Sequence, residues 1–294
     1  GIRLRIRADL VWSLMGIDGK GVVVASMDTG VDWQHPDLQT RYRGYDPKGL
    51  ATHNGNWFCA TDEGYLYPGD GIGHGTHTMG TMVAGRGIGV APGAQWIAAK
   101  IFNDQGRTTD AWIHNGFQWL LAPGGDPARA PDVVNGSWGS TLRDGLVYQD
   151  DVRALLAAGI VPVFSAGNSG PAAATISIPG GYAESLTVGA VDSDNLVAGF
   201  SSRGPSAFAP IKPDVVAPGV RVRSTFHGGG YALEDGTSMA APHVAGLVAL
   251  LMQANPRLTP QAVIALIERT ARPVGDDPLP NTSYGAGLAD AYAA

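Results

Sequence analysis

The chain has 294 residues, of which 44% are hydrophobic and 16% charged, so it can bury a large core and is not disordered. A net charge of −6 and the lack of a Lys/Arg-rich run argue against a nucleic-acid partner. One cysteine excludes an internal disulfide, and no apolar run approaches the roughly 20 residues of a membrane-spanning helix.

Short β-branched and apolar runs, each bounded by turn residues, recur along the chain and predict buried strands. They occupy residues 21–27, 95–102, 131–139, 160–165 and 186–191, with another from residue 215. Helical spacing or uniformly apolar composition predicts helices at residues 8–15, 74–85, 110–121, 150–158, 236–252 and 259–270. Strands that alternate with helices are typical of a parallel sheet covered on both faces, so we predict an α/β fold. No repeat or linker divides residues 1–294, which we expect to form one domain.

Four polar residues stand at the ends of predicted strands or at the starts of predicted helices. Asp28 follows the first strand and Asn168 the fourth, whereas His74 and Ser238 begin helices. The carboxyl ends of parallel strands gather at one edge of a sheet, where α/β proteins bind their ligands. We therefore expect these four side chains to contribute to one site.

Each of these residues also has an alternative interpretation. Asp28 could serve only as a turn residue, and Thr237 or Ser238 could serve only as a cap for the following helix. His74 and His77 are three residues apart and could bind zinc from one helical face, although the His-Glu-x-x-His pattern is absent.

Acyl transfer requires the combination of side chains found here. A serine hydroxyl needs an imidazole to take its proton, and the imidazole needs a carboxylate to hold its tautomer. Asn168 and the backbone N–H of Ser238 could donate to the oxyanion that forms. An α/β-hydrolase esterase would instead place its serine first in the chain, within Gly-x-Ser-x-Gly. A related domain that only bound peptides would typically lack one of these residues, and none is lacking here.

Four motifs around these residues resemble those of the subtilisin-like serine peptidases, the subtilase family, and the resemblance covers nearly the whole chain. The motifs are Asp28-Thr29-Gly30 with His35-Pro36-Asp37-Leu38, His74-Gly75-Thr76-His77, Ser165-Ala166-Gly167-Asn168, and Gly236-Thr237-Ser238-Met239-Ala240-Ala241-Pro242-His243. Further segments are similar to the bacillopeptidase F branch of this family: Tyr42-Arg43-Gly44-Tyr45, Trp119-Leu120-Leu121-Ala122-Pro123 and Pro131-Asp132-Val133-Val134-Asn135. The resemblance implies a three-layer fold, with helices on both faces of a mostly parallel, twisted sheet.

The resemblance also implies roles for individual residues. Ser238 would be the nucleophile and His74 the general base and then the general acid, with Asp28 orienting His74. Asn168 would donate to the oxyanion, and Thr237 would support it.

An extended polypeptide substrate would pair with two edges of the site, according to the same resemblance. The residues that would offer these edges are Gly106, Arg107, Thr108, Ser137, Trp138 and Gly139. Ala166 and Gly167 would wall the pocket for the residue before the scissile bond, and such small walls leave space for a large apolar side chain. Trp138 replaces the smaller aliphatic residue usual in the family, which changes the entrance to that pocket.

The chemistry implied needs no cofactor, but the family commonly holds a structural calcium ion. Asp37 matches one of its ligands, whereas the loop that would supply the others is short and carries Arg86. Calcium prefers six to eight oxygen ligands, so we predict that this usual site is absent. A replacement site or a solvated face could instead form in the irregular stretch at residues 40–73, which contains Asp62, Glu63 and Asp70.

The remaining expectations concern processing and single residues. The resemblance implies secretion and an N-terminal propeptide removed from the mature domain, and residues 1–7 lack the apolar core of a signal peptide. We interpret His77 and His243 as packing or hydrogen-bonded core residues. Pro179 resembles the family's cis proline beside the substrate pocket, and Cys59 is expected to be an inert, partly buried thiol.

Overall fold

A parallel sheet forms the centre of the computed structural model, which describes residues 6–142 and 144–294. Its strands are β1 (Val23–Asp28), β2 (Trp57–Cys59), β3 (Gln95–Lys100), β4 (Val133–Gly136), β5 (Val161–Ser165), β6 (Leu186–Val191) and β7 (Val215–Pro218). These seven strands lie in the order β2-β3-β1-β4-β5-β6-β7, and every neighbouring pair is parallel. The predicted α/β fold is confirmed.

Helices cover both faces of this sheet. They are α1 (Ala8–Leu10), which continues as a π-helical turn at Val11–Met15, α2 (His74–Val83), α3 (Asp110–Leu121), α4 (Gln149–Ala157), α5 (Thr237–Ala254) and α6 (Pro260–Thr270). Residues of α2, α5 and α6, among them Met79 and Val244, share one buried apolar cluster. Residues of α3 and α4, among them Phe117 and Leu155, belong to a second cluster. The three layers implied by the resemblance are therefore present.

The central strand β1 contributes to both clusters. Val24 packs in the first cluster, whereas Ala25 and Met27 pack in the second, because successive side chains of a strand face opposite sides. A strand buried on both faces reads as a continuous apolar run, which is why β1 was recognisable in the sequence. Asp28, its last residue, lies level with Lys100 of β3 at the carboxyl edge of the sheet.

The helix α5 is the core helix that its sequence predicts. It spans 18 residues and is long and apolar enough to cross a membrane by length and composition alone, but 83% of that span is buried inside the protein. A helix that is apolar all round and packs on sheet strands is typical of a protein core. Its buried position fixes the place of Ser238, the second residue of the helix.

Two features of the described chain were not predicted. Strand β2 lies inside the stretch at residues 40–73, where the sequence predicted irregular structure. It was missed because its three residues are too few to show a period of their own and form a strand by pairing with β3. Strands β8 (Val222–Phe226) and β9 (Gly230–Glu234) form an antiparallel hairpin outside the main sheet. The hairpin contacts α2 and begins four residues after β7, so the sequence offers little to separate it from that strand.

Candidate active site

Asp28 and His74 form a close pair at the carboxyl end of β1. The Asp28 carboxylate is 2% exposed and accepts the N–H of Thr29 at 2.7 Å. Its Oδ1 also lies 2.7 Å from His74 Nδ1. An ionised carboxylate only accepts hydrogen bonds, so His74 must carry a proton on Nδ1 and donate it to Asp28. In the neutral ring this leaves Nε2 unprotonated, as a general base requires.

The charge of Asp28 changes the acidity of His74. Burial disfavours the charged ring, but attraction to the Asp28 carboxylate and the hydrogen bond to it outweigh burial, with smaller contributions from Glu234 and Asp70. Together these effects raise the pKa of His74 to about 9. The pair therefore strongly favours an imidazolium once a proton reaches the ring.

Glycines allow His74 to stand close to β1 at the start of α2. Gly73 adopts φ +99°, a conformation that favours glycine, and so turns the chain into the helix. A Cβ at Gly75 would collide with the carbonyl oxygen of Gly30, just beyond β1. The Gly-His-Gly sequence is thus explained by close approach of the helix to the strand.

Asp70 holds the same helix start from the other side. Its Oδ1 accepts the Thr29 hydroxyl at 2.9 Å and the Gly73 N–H at 2.8 Å. Its Oδ2 accepts the N–H and the hydroxyl of Thr76 at 2.9 and 2.7 Å. The sequence predicted Asp70 to be either a calcium ligand or part of a solvated face, and neither fits this set of donors. An acid just ahead of a helix is favoured by the unpaired N–H groups there, which is the signal that could have revealed its role.

Ser238 lies in the first turn of α5 and contacts the end of β4. Its hydroxyl donates to the carbonyl oxygen of Ser137 at 3.0 Å, while the Ser137 hydroxyl donates to the carbonyl oxygen of Ser238 at 2.7 Å. Among the described residues no hydrogen bond joins Ser238 to His74. Ser137 nevertheless lies close to both Ser238 and His74. It exchanges hydrogen bonds with Ser238, and it lines a cavity of about 290 Å³ that Asp28 and His74 also line. This role of Ser137 was not foreseen.

Asn168 is oriented by the residue before the serine. Its Oδ1 accepts both the N–H and the hydroxyl of Thr237, each at 2.9 Å, and the Thr237 Oγ1 accepts the N–H of Gly167 at 3.1 Å. A backbone N–H can only donate, so the oxygen of the Asn168 amide must face Thr237. The amide nitrogen of this exposed residue makes no hydrogen bond to the described residues. The predicted support of Asn168 by Thr237 thus has a defined geometry.

Most of the predicted substrate residues surround two cavities that share Phe102 and Trp138. The cavity of about 290 Å³ beside His74 is also lined by Ile72 and Gly106. A second cavity, of about 340 Å³, is lined in addition by Thr108, Asp110, Ile113, Gly139, Ser140, Thr141 and Tyr148. Trp138 is only 8% exposed and packs edge-on against Tyr148, with the ring centroids 5.6 Å apart.

Three of the other predicted substrate residues, Arg107, Ala166 and Gly167, are not among the residues that line these two cavities. Arg107 is exposed in a tight turn, where its N–H donates to Asn103 Oδ1 at 2.9 Å. Ala166 is fully buried just after β5 and accepts the N–H of Ser177 at 3.0 Å. Gly167, with φ +104°, connects it to Asn168.

The two histidines interpreted as core residues, His77 and His243, are buried. His77 Nε2 donates to the carbonyl oxygen of Val222 at 3.0 Å, and burial lowers its pKa to about 4. His243 Nδ1 donates to the carbonyl oxygen of Met239 at 2.8 Å, and burial lowers its pKa to about 4 as well. Both are hydrogen-bonded core residues, as predicted. The Ile178–Pro179 bond is cis, and Cys59 is half-buried with its Sγ 3.2 Å from Thr61 Oγ1.

The residues expected around a calcium ion do not fit one. Arg86 Nε lies 3.0 Å from Asp37 Oδ1, and the Tyr231 hydroxyl donates to Asp37 Oδ2 at 2.6 Å. Both carboxylate oxygens are thus engaged, and a guanidinium already supplies the positive charge. In the stretch at residues 40–73, Glu63 pairs with Lys100 at 3.3 Å, away from the contacts of Asp70. Across residues 6–142 and 144–294, no three His, Cys, Asp or Glu side chains converge as metal ligands.

The fold and the site together define an α/β domain with a carboxylate–imidazole pair and a helix-borne serine at one edge of a parallel sheet. The sequence profile of the subtilase family matches residues 19–287. The chain belongs to the subtilase family, a hydrolase family of subtilisin-like serine peptidases.

Individual relatives agree with this assignment. The chain is 44% identical to bacillopeptidase F of Bacillus subtilis (strain 168) over 310 residues, which cover 98% of this chain and 21% of that protein. It is 38% identical to the serine protease AprX of the same strain, over 94% of this chain and 66% of that protein. It is 37% identical to subtilisin BL of Lederbergia lenta, over 95% of this chain and 92% of that protein. The chain thus spans about a fifth of bacillopeptidase F and 66% of AprX.

Proposed function

We propose that this chain is a serine endopeptidase in which Ser238 attacks the peptide carbonyl, His74 moves the proton and Asp28 orients His74. The observation that carries the proposal is the 2.7 Å contact between His74 Nδ1 and Asp28 Oδ1, beside the helix start that holds Ser238. Membership of the subtilase family supports the same assignment.

Acylation begins when substrate draws the Ser238 hydroxyl away from the carbonyl oxygen of Ser137. His74 Nε2 takes the hydroxyl proton as Ser238 Oγ bonds to the substrate carbonyl carbon. The carbonyl electron pair moves onto its oxygen and forms a tetrahedral intermediate. As the electron pair returns, the C–N bond breaks and His74 gives the proton to the leaving amine.

Deacylation repeats these steps with water. His74 Nε2 removes a proton from water as the oxygen adds to the acyl carbon, and Ser238 Oγ leaves with the proton that His74 returns. In both halves the imidazolium faces the Asp28 carboxylate, which stabilises its positive charge. The raised pKa of His74 expresses the same stabilisation in the resting protein.

The negative oxygen of the intermediate needs donors that are already in place. We assign them to the amide nitrogen of Asn168 and the backbone N–H of Ser238 in the first turn of α5. Thr237 occupies the oxygen side of the Asn168 amide with two hydrogen bonds, so the amide needs no reorientation during the reaction. The positive end of the α5 dipole favours the same negative charge.

Specificity is proposed to come from the pocket walls. Ala166 and Gly167 leave space for a large apolar or aromatic side chain before the scissile bond. The peptide upstream of that residue would extend between Gly106 and Trp138, which face the cavity beside His74. Hydrogen bonds to its backbone would grip many sequences, as in strand addition to a sheet edge.

Location and maturation follow from the family resemblance. We propose that the chain acts outside the cell and derives from a precursor whose N-terminal propeptide is removed. Its substrates would be polypeptides, and the chemistry would require no cofactor.

Replacing Ser238 tests the proposal most directly. Purified wild type and Ser238→Ala would be compared for hydrolysis of a denatured protein and for labelling by a fluorophosphonate, with circular dichroism to confirm folding. We expect the wild type to be labelled and active and the variant to be folded, unlabelled and inactive. Activity of Ser238→Ala within tenfold of the wild type would exclude Ser238 as the nucleophile. A folded wild type without hydrolysis or labelling would indicate a domain that only binds.

A further inference from the structure

A buried cation that the chemistry above does not use lies behind the candidate active site. Lys100 ends β3 level with Asp28, and its side chain has no exposed surface. A buried ammonium group is costly unless it is paired and hydrogen-bonded. Its Nζ donates to the Thr29 carbonyl oxygen at 2.8 Å and to Asp104 Oδ1 at 2.7 Å, and lies 3.3 Å from Glu63 Oε2.

Asp104 gathers further contacts around this cation. Its Oδ1 accepts the N–H of Gly71 at 3.2 Å, its Oδ2 accepts the Tyr65 hydroxyl at 2.6 Å, and its own N–H donates to Glu63 Oε1 at 2.8 Å. Burial alone would raise the pKa of Asp104, but hydrogen bonds from Lys100 and Tyr65 outweigh it and hold the pKa below its ordinary value. The carboxylate is therefore ionised and accepts hydrogen bonds from several segments at once.

These segments form two walls of the cavity beside His74. One wall is Ile72, which follows the glycine that donates to Asp104. The second wall is Phe102 and Gly106, which flank Asp104 in the chain. It adjoins the first wall, because Ile72 Cδ1 lies 3.7 Å from the place that a Cβ on Gly106 would take. The carboxylate thus ties the first wall to the segment that carries the second.

The second wall is held as a closed turn. The N–H of Asn103 donates to the carbonyl oxygen of Arg107 at 2.9 Å, and the N–H of Gly106 donates to that of Asn103 at 2.8 Å. Because the turn is bonded to itself, Asp104 is the residue through which Lys100 and Tyr65 hold it against the body of the protein.

We propose that Asp104 is a positioning residue for the substrate: with Lys100 and Tyr65 it holds these two adjoining walls in place, so that the peptide upstream of the scissile bond can extend between Gly106 and Trp138. This inference rests on the proposed peptidase function. Asp104 touches neither the reacting atoms nor His74, so its loss would weaken binding of long peptides and leave the chemical step intact. A loss of binding made equally in the ground state and the transition state raises KM without lowering kcat.

Two substrates of different length test this role. An N-acetylated ester of a single aromatic residue makes no upstream contacts, whereas a tetrapeptide ester ending in the same residue makes them. For Asp104→Asn we expect KM for the tetrapeptide to rise about tenfold, with kcat within about twofold and both constants for the short ester within about twofold of wild type. Tyr65→Phe removes one hydrogen bond and leaves every charge paired, so a change of about threefold in the same direction is expected.

Tyr231→Phe is a matched control, because it deletes another tyrosine–carboxylate hydrogen bond of 2.6 Å, to Asp37. We expect it to leave the constants for both substrates unchanged. If Asp104→Asn does not fold, Tyr65→Phe carries the test alone. Equal losses on both substrates, a fall in kcat at constant KM, or Tyr65→Phe indistinguishable from Tyr231→Phe would overturn the role of Asp104. A wild type that cleaved neither ester would overturn the proposed function, and this inference with it.

Discussion

The ionisation of His74 offers the most direct physical test of its pairing with Asp28. In Ser238→Ala, which removes self-digestion, we expect the His74 ring to titrate near pH 9. The ordinary histidine pKa is 6.5, and one pKa unit corresponds to about 1.4 kcal/mol, so the shift represents roughly 3 kcal/mol in favour of the charged ring. Adding Asp28→Asn removes the charge but keeps the burial, which should bring the pKa below 6.5.

The assay is NMR titration of both proteins with labelled histidine. His77 is an internal control, because burial rather than Asp28 holds its pKa low, so it should stay near 4 in both proteins. A His74 pKa below 6.5 in Ser238→Ala, or one that Asp28→Asn leaves unchanged, would refute the reasoning.

Folding stability should follow the same ionisation. The pKa of His74 is raised in the folded protein, so its contribution is fully present below pH 6.5 and is lost as the pH rises toward 9. Urea unfolding of Ser238→Ala should show this loss, and adding Asp28→Asn should remove it. The proposed base is the neutral ring, so kcat/KM of the wild type should rise over the same interval.

Three further predictions concern the oxyanion, the calcium question and specificity. Asn168→Ala should lower kcat by roughly 10²–10³ with little change in KM, a magnitude carried over from the corresponding asparagine of a subtilisin; a change in KM alone would contradict it. Because Arg86 already balances Asp37, the melting temperature should be the same with chelator and with added calcium, and calorimetric scans that differed would show a calcium site. Peptide-library profiling should show cleavage after large apolar residues, as Ala166 and Gly167 predict, and a strict preference for Lys or Arg would exclude this pocket.

The sequence predicted the parts of the fold that carry their own periodicity. Helix α3 spans the predicted residues 110–121, and β6 spans the predicted 186–191, because each has the burial pattern of a regular element. Strand β2 and the β8–β9 hairpin are short or lie at an edge, and their pairing depends on partners elsewhere in the chain. Such contacts leave no local pattern to read.

The same distinction holds for the candidate site: residues at recognisable strand or helix ends were predicted, whereas contacts between distant parts of the chain were not. Asp28 and His74 were predicted from a strand end and a helix start, and the structure brings them together. The exchange of hydrogen bonds between Ser137 and Ser238 joins residues 101 positions apart. Nothing in the local sequence around either serine predicts this contact. The network around Lys100 was invisible for a related reason, since a lysine in a strand gives no sign that it will be fully buried.

Asp28 and Asp70 show why residue type alone could not assign these roles. Both are buried carboxylates near the start of α2, yet Asp70 already accepts two hydroxyl groups and the N–H groups of Ile72, Gly73 and Thr76. Its charge is satisfied by fixed donors. From the residues that the structure describes, Asp28 accepts only the N–H of Thr29 and a long contact from Thr78 at 3.5 Å, in addition to His74.

Asp28 accepts fewer hydrogen bonds than Asp70, and this difference explains why Asp28 has the larger effect on the pKa of His74. Asp28 Oδ1 faces His74 Nδ1 and makes the largest favourable contribution to the raised pKa of His74, whereas Asp70 contributes less. Asp70 serves instead to fix the helix start, so that His74 meets Asp28 at a set distance. One carboxylate therefore acts on the charge of the ring and the other on its position.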